Sequence, residues 1–431
     1  TKGIRSFGTL NATNEIKLMG NSTNVTGVGI EGGSVTATNG SVVIEGVTTN
    51  GYYQGANIGF AVTGASVRIT GNSKNHFGVG IGAAVTATSG DVYIEGTTSA
   101  GTRAGISMGA KVEGKNVSML GNSAGGVGVD VIALVKATDT GVTASGVTLT
   151  GSGGNTYGNY DHGVWIRSTG SVNSASKVAI TGNNNFSPNT ANAAFGAHIQ
   201  GAVAAAGDIT LEGNTNSTST VNNGLVIQAK VASAEGSITI KANAADMNHT
   251  SLVISGGGEL VTANQNIELT ANSMNFGSAT AAKAINAGTG TVGIRTKDDG
   301  KLIKLGLEDT SGMEPQLRLN QTEFNKITAG NVVIGHGQAG HISVDGPITT
   351  EAATGNITLQ TNGNITLSKA LTIGDDPLTV STTENTKNLT LNGLGATSTI
   401  SQSEAIKASG LDLLGANVDF SLTATGNQVA T

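Results

Sequence analysis

Gly27-Val28-Gly29-Ile30 leads to Val35-Thr36-Ala37-Thr38 and then to Val43-Ile44-Glu45-Gly46. The phrase returns as Gly78-Val79-Gly80-Ile81, Val85-Thr86-Ala87-Thr88 and Tyr93-Ile94-Glu95-Gly96, and a third time, worn, as Gly126-Val127-Gly128-Val129 and Val135-Lys136-Ala137-Thr138. A fixed period built from short β-branched runs and Gly/Asn punctuation means one structural unit stacked many times. Strand triplets anchor the register at Ile44, Ile69, Ile94 and Met119, then at Leu149, Ile180, Leu211, Ile240 and Leu269. Three short strands and three turns fit such a coil, so the spacing predicts an all-β fold, a right-handed parallel β-helix (β-solenoid) of about fifteen coils.

Working outward, Gly20-Asn21, Gly71-Asn72 and Gly121-Asn122 alternate with Gly46-Val47 and Gly96-Thr97, so the early unit is a pair of coils. These Gly-Asn pairs read as a turn ladder, Gly supplying positive φ and Asn bonding the coil above. Long coils are expected over 1–285 and an irregular charged insertion or connector over 286–330, where Arg295, Lys297, Asp298, Asp299, Lys301, Lys304, Glu308 and Asp309 crowd together. Over 331–431 closer strands predict a β-helix with shorter coils.

Composition agrees. The 431 residues include 65 Gly, 4 Pro and no Cys, with 3% aromatic and 12% charged residues, which suits a narrow stacked core better than a globular one. A net charge of −6 without a basic stripe gives nucleic-acid binding no electrostatic support. No apolar run approaches a membrane span. A start at Thr1 and the absence of a signal peptide suggest an internal fragment or processed product.

The C-terminal text carries a family resemblance. Asn331-Val332-Val333-Ile334-Gly335, Gly340-His341-Ile342-Ser343-Val344, Gly355-Asn356-Ile357-Thr358-Leu359 and Gly363-Asn364-Ile365-Thr366-Leu367 precede Thr399-Ile400-Ser401-Gln402-Ser403 and Gly410-Leu411-Asp412-Leu413. This order, with Thr322-Glu323-Phe324-Asn325-Lys326-Ile327 before it, resembles the repeat region of filamentous-haemagglutinin-like two-partner-secretion exoproteins. The resemblance covers about the last 110 residues; the first 285 match in repeat style only. It implies a rod-like adhesin or matrix segment exported through an outer-membrane secretion partner, secreted at the surface of a Gram-negative cell. Expected partners are extracellular polysaccharide or host and sister-cell surfaces. Because the coils are alike, a self-assembling extracellular filament subunit, associating end to end, is an alternative function.

Chemistry is sparse. A carbohydrate-active β-helix enzyme, lyase or hydrolase, is another alternative function, but the carboxylates look scattered, and Asp298-Asp299 and Asp375-Asp376 fall in turns. No metal or cofactor motif is found, and the expectation is a non-enzyme. Asn-x-Ser/Thr sequons, Asn11 and Asn116 among them, are only slightly in excess of chance. One cluster differs: Tyr157, Tyr160, Asp161, His162 and Trp165. Aligning His162-Gly163-Val164-Trp165-Ile166 with Phe77-Gly78-Val79-Gly80-Ile81 turns Trp165 outward and puts His198 beside it on the next rung. Trp165, His198, Tyr160, Asp161 and Tyr157 are therefore candidates for glycan contact. Two readings stay open: an exposed sugar-stacking platform, or a Trp buried beneath the longer loop after Gly151.

Overall fold

The computed structural model describes residues 3–141, 145–154, 161–185, 194–216, 222–245, 250–307, 316–351, 354–374 and 387–429. Parallel strands stack as a β-solenoid of about twelve turns rather than the expected fifteen. The difference arises partly at the C-terminal end, where closely spaced strands are the several sides of one turn. Ile342 pairs with Ile365, and Ile365 with Ile400, so a turn there takes 23 and then 35 residues (365 − 342 and 400 − 365). The chain divides into two compact units, 1–234 with 244–246 and 235–243 with 247–431.

In the first unit each turn has three walls. The second turn illustrates them: Val28–Ile30 on the first wall, Val35–Ala37 on the second and Val42–Thr48 on the third. Each strand pairs in parallel with its counterparts one turn away. The anchors Ile44, Ile69, Ile94, Met119, Leu149, Ile180 and Leu211 form one continuous column, as their spacing predicts. Alternation does the rest: in Val42–Thr48 every second residue is buried, because successive side chains point to opposite faces. Val42, Ile44, Val67, Ile69, Val92 and Ile94 are at most 2% exposed, a stack of apolar columns with no polar atom to satisfy except the backbone, which the ladders pair.

The Gly-Asn turn ladder is overturned. Gly71, Gly121, Gly182 and Gly213 lie inside seven-residue strands, and none of them is among the glycines with positive φ. Their side faces inward, and a Cβ there would come well inside 3.0 Å of a backbone carbonyl: Gly71 meets Gly78, Gly96 meets Gly105, Gly121 meets Gly128 and Gly151 meets Gly163. Glycine is required because the third wall passes against the entry to the first wall with no room for a side chain. The Asn residues beside them face outward; Asn214 does donate to Asn183 one turn away, at 3.1 Å.

Two residues after Gly71, Gly96 and Gly121, a buried hydroxyl holds neighbouring corner loops. Thr98 Oγ1 reaches the carbonyls of His76 (2.7 Å) and Ala104 (2.9 Å), Ser73 Oγ that of Tyr53 (2.6 Å) and Ser123 Oγ that of Arg103 (2.7 Å). These corners carry backbone carbonyls that leave the sheet ladder, and the hydroxyl column satisfies them.

The second unit keeps parallel pairing, with Ile267–Thr270, Thr291–Arg295, Ile327–His336, Thr354–Thr361, Asn388–Gly393 and Gly410–Leu414 forming successive rungs of one wall. The charged stretch over 286–330 contributes strands too. Leu317–Leu319 pairs with Ile303–Leu305, which pairs in turn with Ile342–Val344, so this sheet is out of chain order. Asn320 then caps the short helix Gln321–Phe324, the only helix among the described residues. In this capping box Asn320 Oδ1 accepts from Glu323 N (2.9 Å), and the Glu323 carboxylate accepts from Asn320 N and Phe276 N (both 3.0 Å).

Candidate functional site

The first wall of the first unit carries the residues singled out by sequence. Its outward column runs Gly29, Asn57, Gly80, Ser107, Asp130, Trp165, His198, Val226. Trp165 and His198 are therefore rung neighbours, in the register the alignment requires, with rings stacked at 5.9 Å between centroids and 7° between planes. Tyr157 and Tyr160 lie outside the described residues.

Trp165 does not offer an open face. It is 8% exposed, as is His198, while His162 is fully buried. His198 stacks on it from the following rung. Arg167 forms a bidentate ion pair with Asp130 on the preceding rung (2.7 and 2.8 Å), which holds its guanidinium carbon 3.8 Å from the Trp165 ring centroid. His162 stands edge-on to Trp165 at 4.9 Å and stacks on Phe195 at 5.0 Å; Ala104, Val127 and Phe77 pack against the same cluster. The indole nitrogen donates to Gln200 Oε1 (2.9 Å), and Gln200 continues to Gln228 (3.1 Å), which also meets His198 Nε2 (3.0 Å). Of the two readings left open, the structure shows a buried Trp, enclosed in an aromatic box. Alternation gave the outward direction of Trp165, but it cannot register what packs onto the outside of a wall.

Electrostatically the box is under tension. Asp161 is 2% exposed, its Oδ1 has no hydrogen-bond partner, and burial pushes its carboxyl up to about 7. Burial holds the His162 imidazole well below its usual range, reinforced by His198 and Arg167. His198 is lowered by burial, against a smaller opposing effect of Gln228.

A second feature is a pair of outward carboxylates. Glu45, Thr70 and Glu95 form an outward column on the third wall, and with Val47, Asn72 and Thr97 they line an open groove of about 240 Å3. The two glutamates sit two rungs apart, about 9.6 Å at the usual strand spacing. Tyr93 donates to Glu95 (2.9 Å) and lies beneath the Arg68 guanidinium. The signal was the Ile-Glu-Gly phrase of the repeat, which puts an outward Glu at 45 and again two coils later at 95. Among the described residues, exposed aromatic rings include Phe7, Tyr52, Tyr53, Phe60 and Phe420, with Tyr52 81% exposed; a loop pair such as Tyr52-Tyr53 has no period from which direction could be read.

Elsewhere, Asp298 is an exposed turn residue bound by Asn272 (2.7 Å) and Lys297 (3.3 Å), as the solvated-loop reading expects, and Asp375 and Asp376 lie outside the described residues. Among the described residues no group of three or more His, Cys, Asp or Glu is arranged to hold a metal ion, and no helix is long and apolar enough to cross a membrane. No protein-family model, no curated protein and no solved structure matches the chain.

Proposed function

We propose that this chain is a rod-like segment of a secreted, filamentous-haemagglutinin-like exoprotein, which meets polysaccharide or a host or sister-cell surface along its outer walls and spaces other parts of the molecule. The observation that carries the reading is the solenoid itself, whose repeated outward columns make long polar walls. Such walls suit many weak contacts along an extended partner. The groove between Glu45 and Glu95 has the carboxylates, amide and hydroxyls that recognise sugar hydroxyls, and Tyr52, exposed on the same unit, offers a ring face. The reading entails an outer-membrane partner during export, an extracellular location and no catalytic turnover.

The test is glycan-array binding by the 431-residue chain, beside Glu45→Gln/Glu95→Gln and Tyr52→Ala, all three surface changes. Saturable binding that the variants weaken supports an adhesive wall. Absence of binding by every form removes glycan adhesion from the proposal. Two carboxylates facing one groove also favour a second reading, a polysaccharide hydrolase, and release of reducing ends that Glu95→Gln abolishes would establish it.

A further inference from the structure

We propose that His162 and His198, opposed by the buried Asp161, form an acid-released clasp, whose side chains close over Trp165 while the imidazoles are neutral and loosen when they gain protons, the backbone of 162–163 and 195–196 staying in the first-wall ladder. Released, the clasp would uncover Trp165 and Phe195.

The geometry fixes the protonation states. The backbone N–H of Phe195 donates to His162 Nδ1 (3.1 Å), so that nitrogen must carry a lone pair. A proton there would oppose a donor, inside a fully buried ring packed by Phe195 and Trp165. His198 is constrained from the other side. Gln228 Oε1 only accepts, so His198 Nε2 must carry the hydrogen in the 3.0 Å contact, which leaves Nδ1 bare. His198 Nδ1 is buried without a hydrogen-bond partner, so a proton added there has no acceptor. Asp161 acts in the opposite sense. Its buried Oδ1 lacks a partner, which favours the neutral acid in the closed state, and its backbone carbonyl is held by Asn184 Nδ2. The charged groups around the box are Arg167, which further disfavours a second cation, and Asp130, which Arg167 already engages. On the far side Arg103 lies over Phe77, with His76 edge-on to the same ring. Asn222 Oδ1 and Gln200 are the uncharged contacts, through Ala194 N and Trp165 Nε1.

Proton balance sets the direction. Both imidazoles are depressed in the closed state, so opening takes up two protons below their ordinary value of 6.5. The Asp161 carboxyl is raised from an ordinary 3.8, so opening releases one proton between 3.8 and about 7. Between 3.8 and 6.5 the net uptake is at most one proton, so the opening equilibrium should rise by up to about tenfold per pH unit as pH falls.

Trp165 is the chain's single tryptophan, so its emission reports on the clasp alone. The experiment follows emission maximum and acrylamide quenching of the full chain from pH 8 to pH 4, with far-UV circular dichroism in parallel. The expected result is a red shift and stronger quenching while the β signal holds. Asp161→Asn should steepen the transition toward about a hundredfold per pH unit, since the opposing proton is gone, and His198→Gln should flatten it. Emission that changes only together with the β signal would overturn the proposal. So would a transition whose steepness is the same in wild type and Asp161→Asn.

Discussion

Gly96→Ala separates two accounts of the glycine ladder that differ in sign. Gly96 lies in the strand Val92–Thr98, between Gly71 and Gly121 on the adjoining rungs, and has no positive φ. If it were merely a flexible residue in extended backbone, alanine would restrict the unfolded chain and stabilise the fold by about 0.4–1 kcal/mol. The structure requires the reverse. The new methyl would fall well inside 3.0 Å of the Gly105 carbonyl oxygen, and also within 3.0 Å of its carbonyl carbon and of Ile106 Cγ1. Neither strand can withdraw freely, since Gly96 is held by rungs on both sides and Ile106 N–H bonds to Gly128 O at 3.0 Å. Overpacking of this kind costs about 1–3 kcal/mol, and the obstacle here is backbone rather than a side chain that could rotate. After subtracting the alanine benefit, a net loss of about 1–2 kcal/mol is expected, in the upper part of the range because the obstacle is backbone. Gly82→Ala is the control, because the nearest atom to its Cβ is 3.6 Å away; it should be neutral or slightly stabilising. Urea unfolding followed by far-UV circular dichroism measures both. A Gly96→Ala midpoint equal to or above wild type refutes the close-approach argument.

Other consequences are as direct. Thr98→Val keeps the shape but removes the hydroxyl that serves the His76 and Ala104 carbonyls, and urea midpoints should report a loss of about 1–2 kcal/mol. Asp161→Asn should stabilise the first unit above pH 7, because the carboxyl, raised to about 7 in the fold, is ionised there at a cost; the advantage should shrink as pH falls from 7 and vanish below 3.8, which thermal melts at pH 8 and pH 3.5 would compare. Asn320→Ala removes the acceptor for Glu323 N and should destabilise the second unit by about 1 kcal/mol, seen as faster hydrogen exchange at residues 321–326.

The period of the repeat told nearly everything about wall and register. Ile44, Ile69, Ile94 and Met119 stack as their spacing requires, because a one-residue slip would expose every apolar side chain at once. It misled at Gly71-Asn72, since composition cannot distinguish a glycine that needs positive φ from one that lacks space for Cβ. The distinction rests on what lies across the coil, Gly78, and that contact crosses walls rather than rungs. The aromatic box was half legible for a related reason. Trp165 and His198 could be aligned, but Arg167, Phe195 and Gln200 reach them from corners whose direction no alternation sets.

The position of the box argues that it is a specialised element rather than an accident of packing. In the early turns the first wall's outward column holds Gly29, Asn57, Gly80 and Ser107, small or polar side chains that need no cover. At Asp130, Trp165, His198 and Val226 it becomes large and buried. The coil lengthens over the same stretch, from 25 residues between Ile69 and Ile94 to 30 between Met119 and Leu149 and 31 between Leu149 and Ile180. A solenoid gains its stability rung by rung from inward columns, and these continue through the stretch unchanged, with Val129, Val164, Ala197 and Leu225 all fully buried. The core therefore does not require the outer box. A structural cover would be expected to use apolar residues throughout, yet this one encloses Asp161, His162 and His198, groups whose burial is unfavourable in their charged forms. Where a repeat departs from its own rule at an energetic disadvantage, response to a condition is a better explanation than stability, and for buried imidazoles that condition is pH.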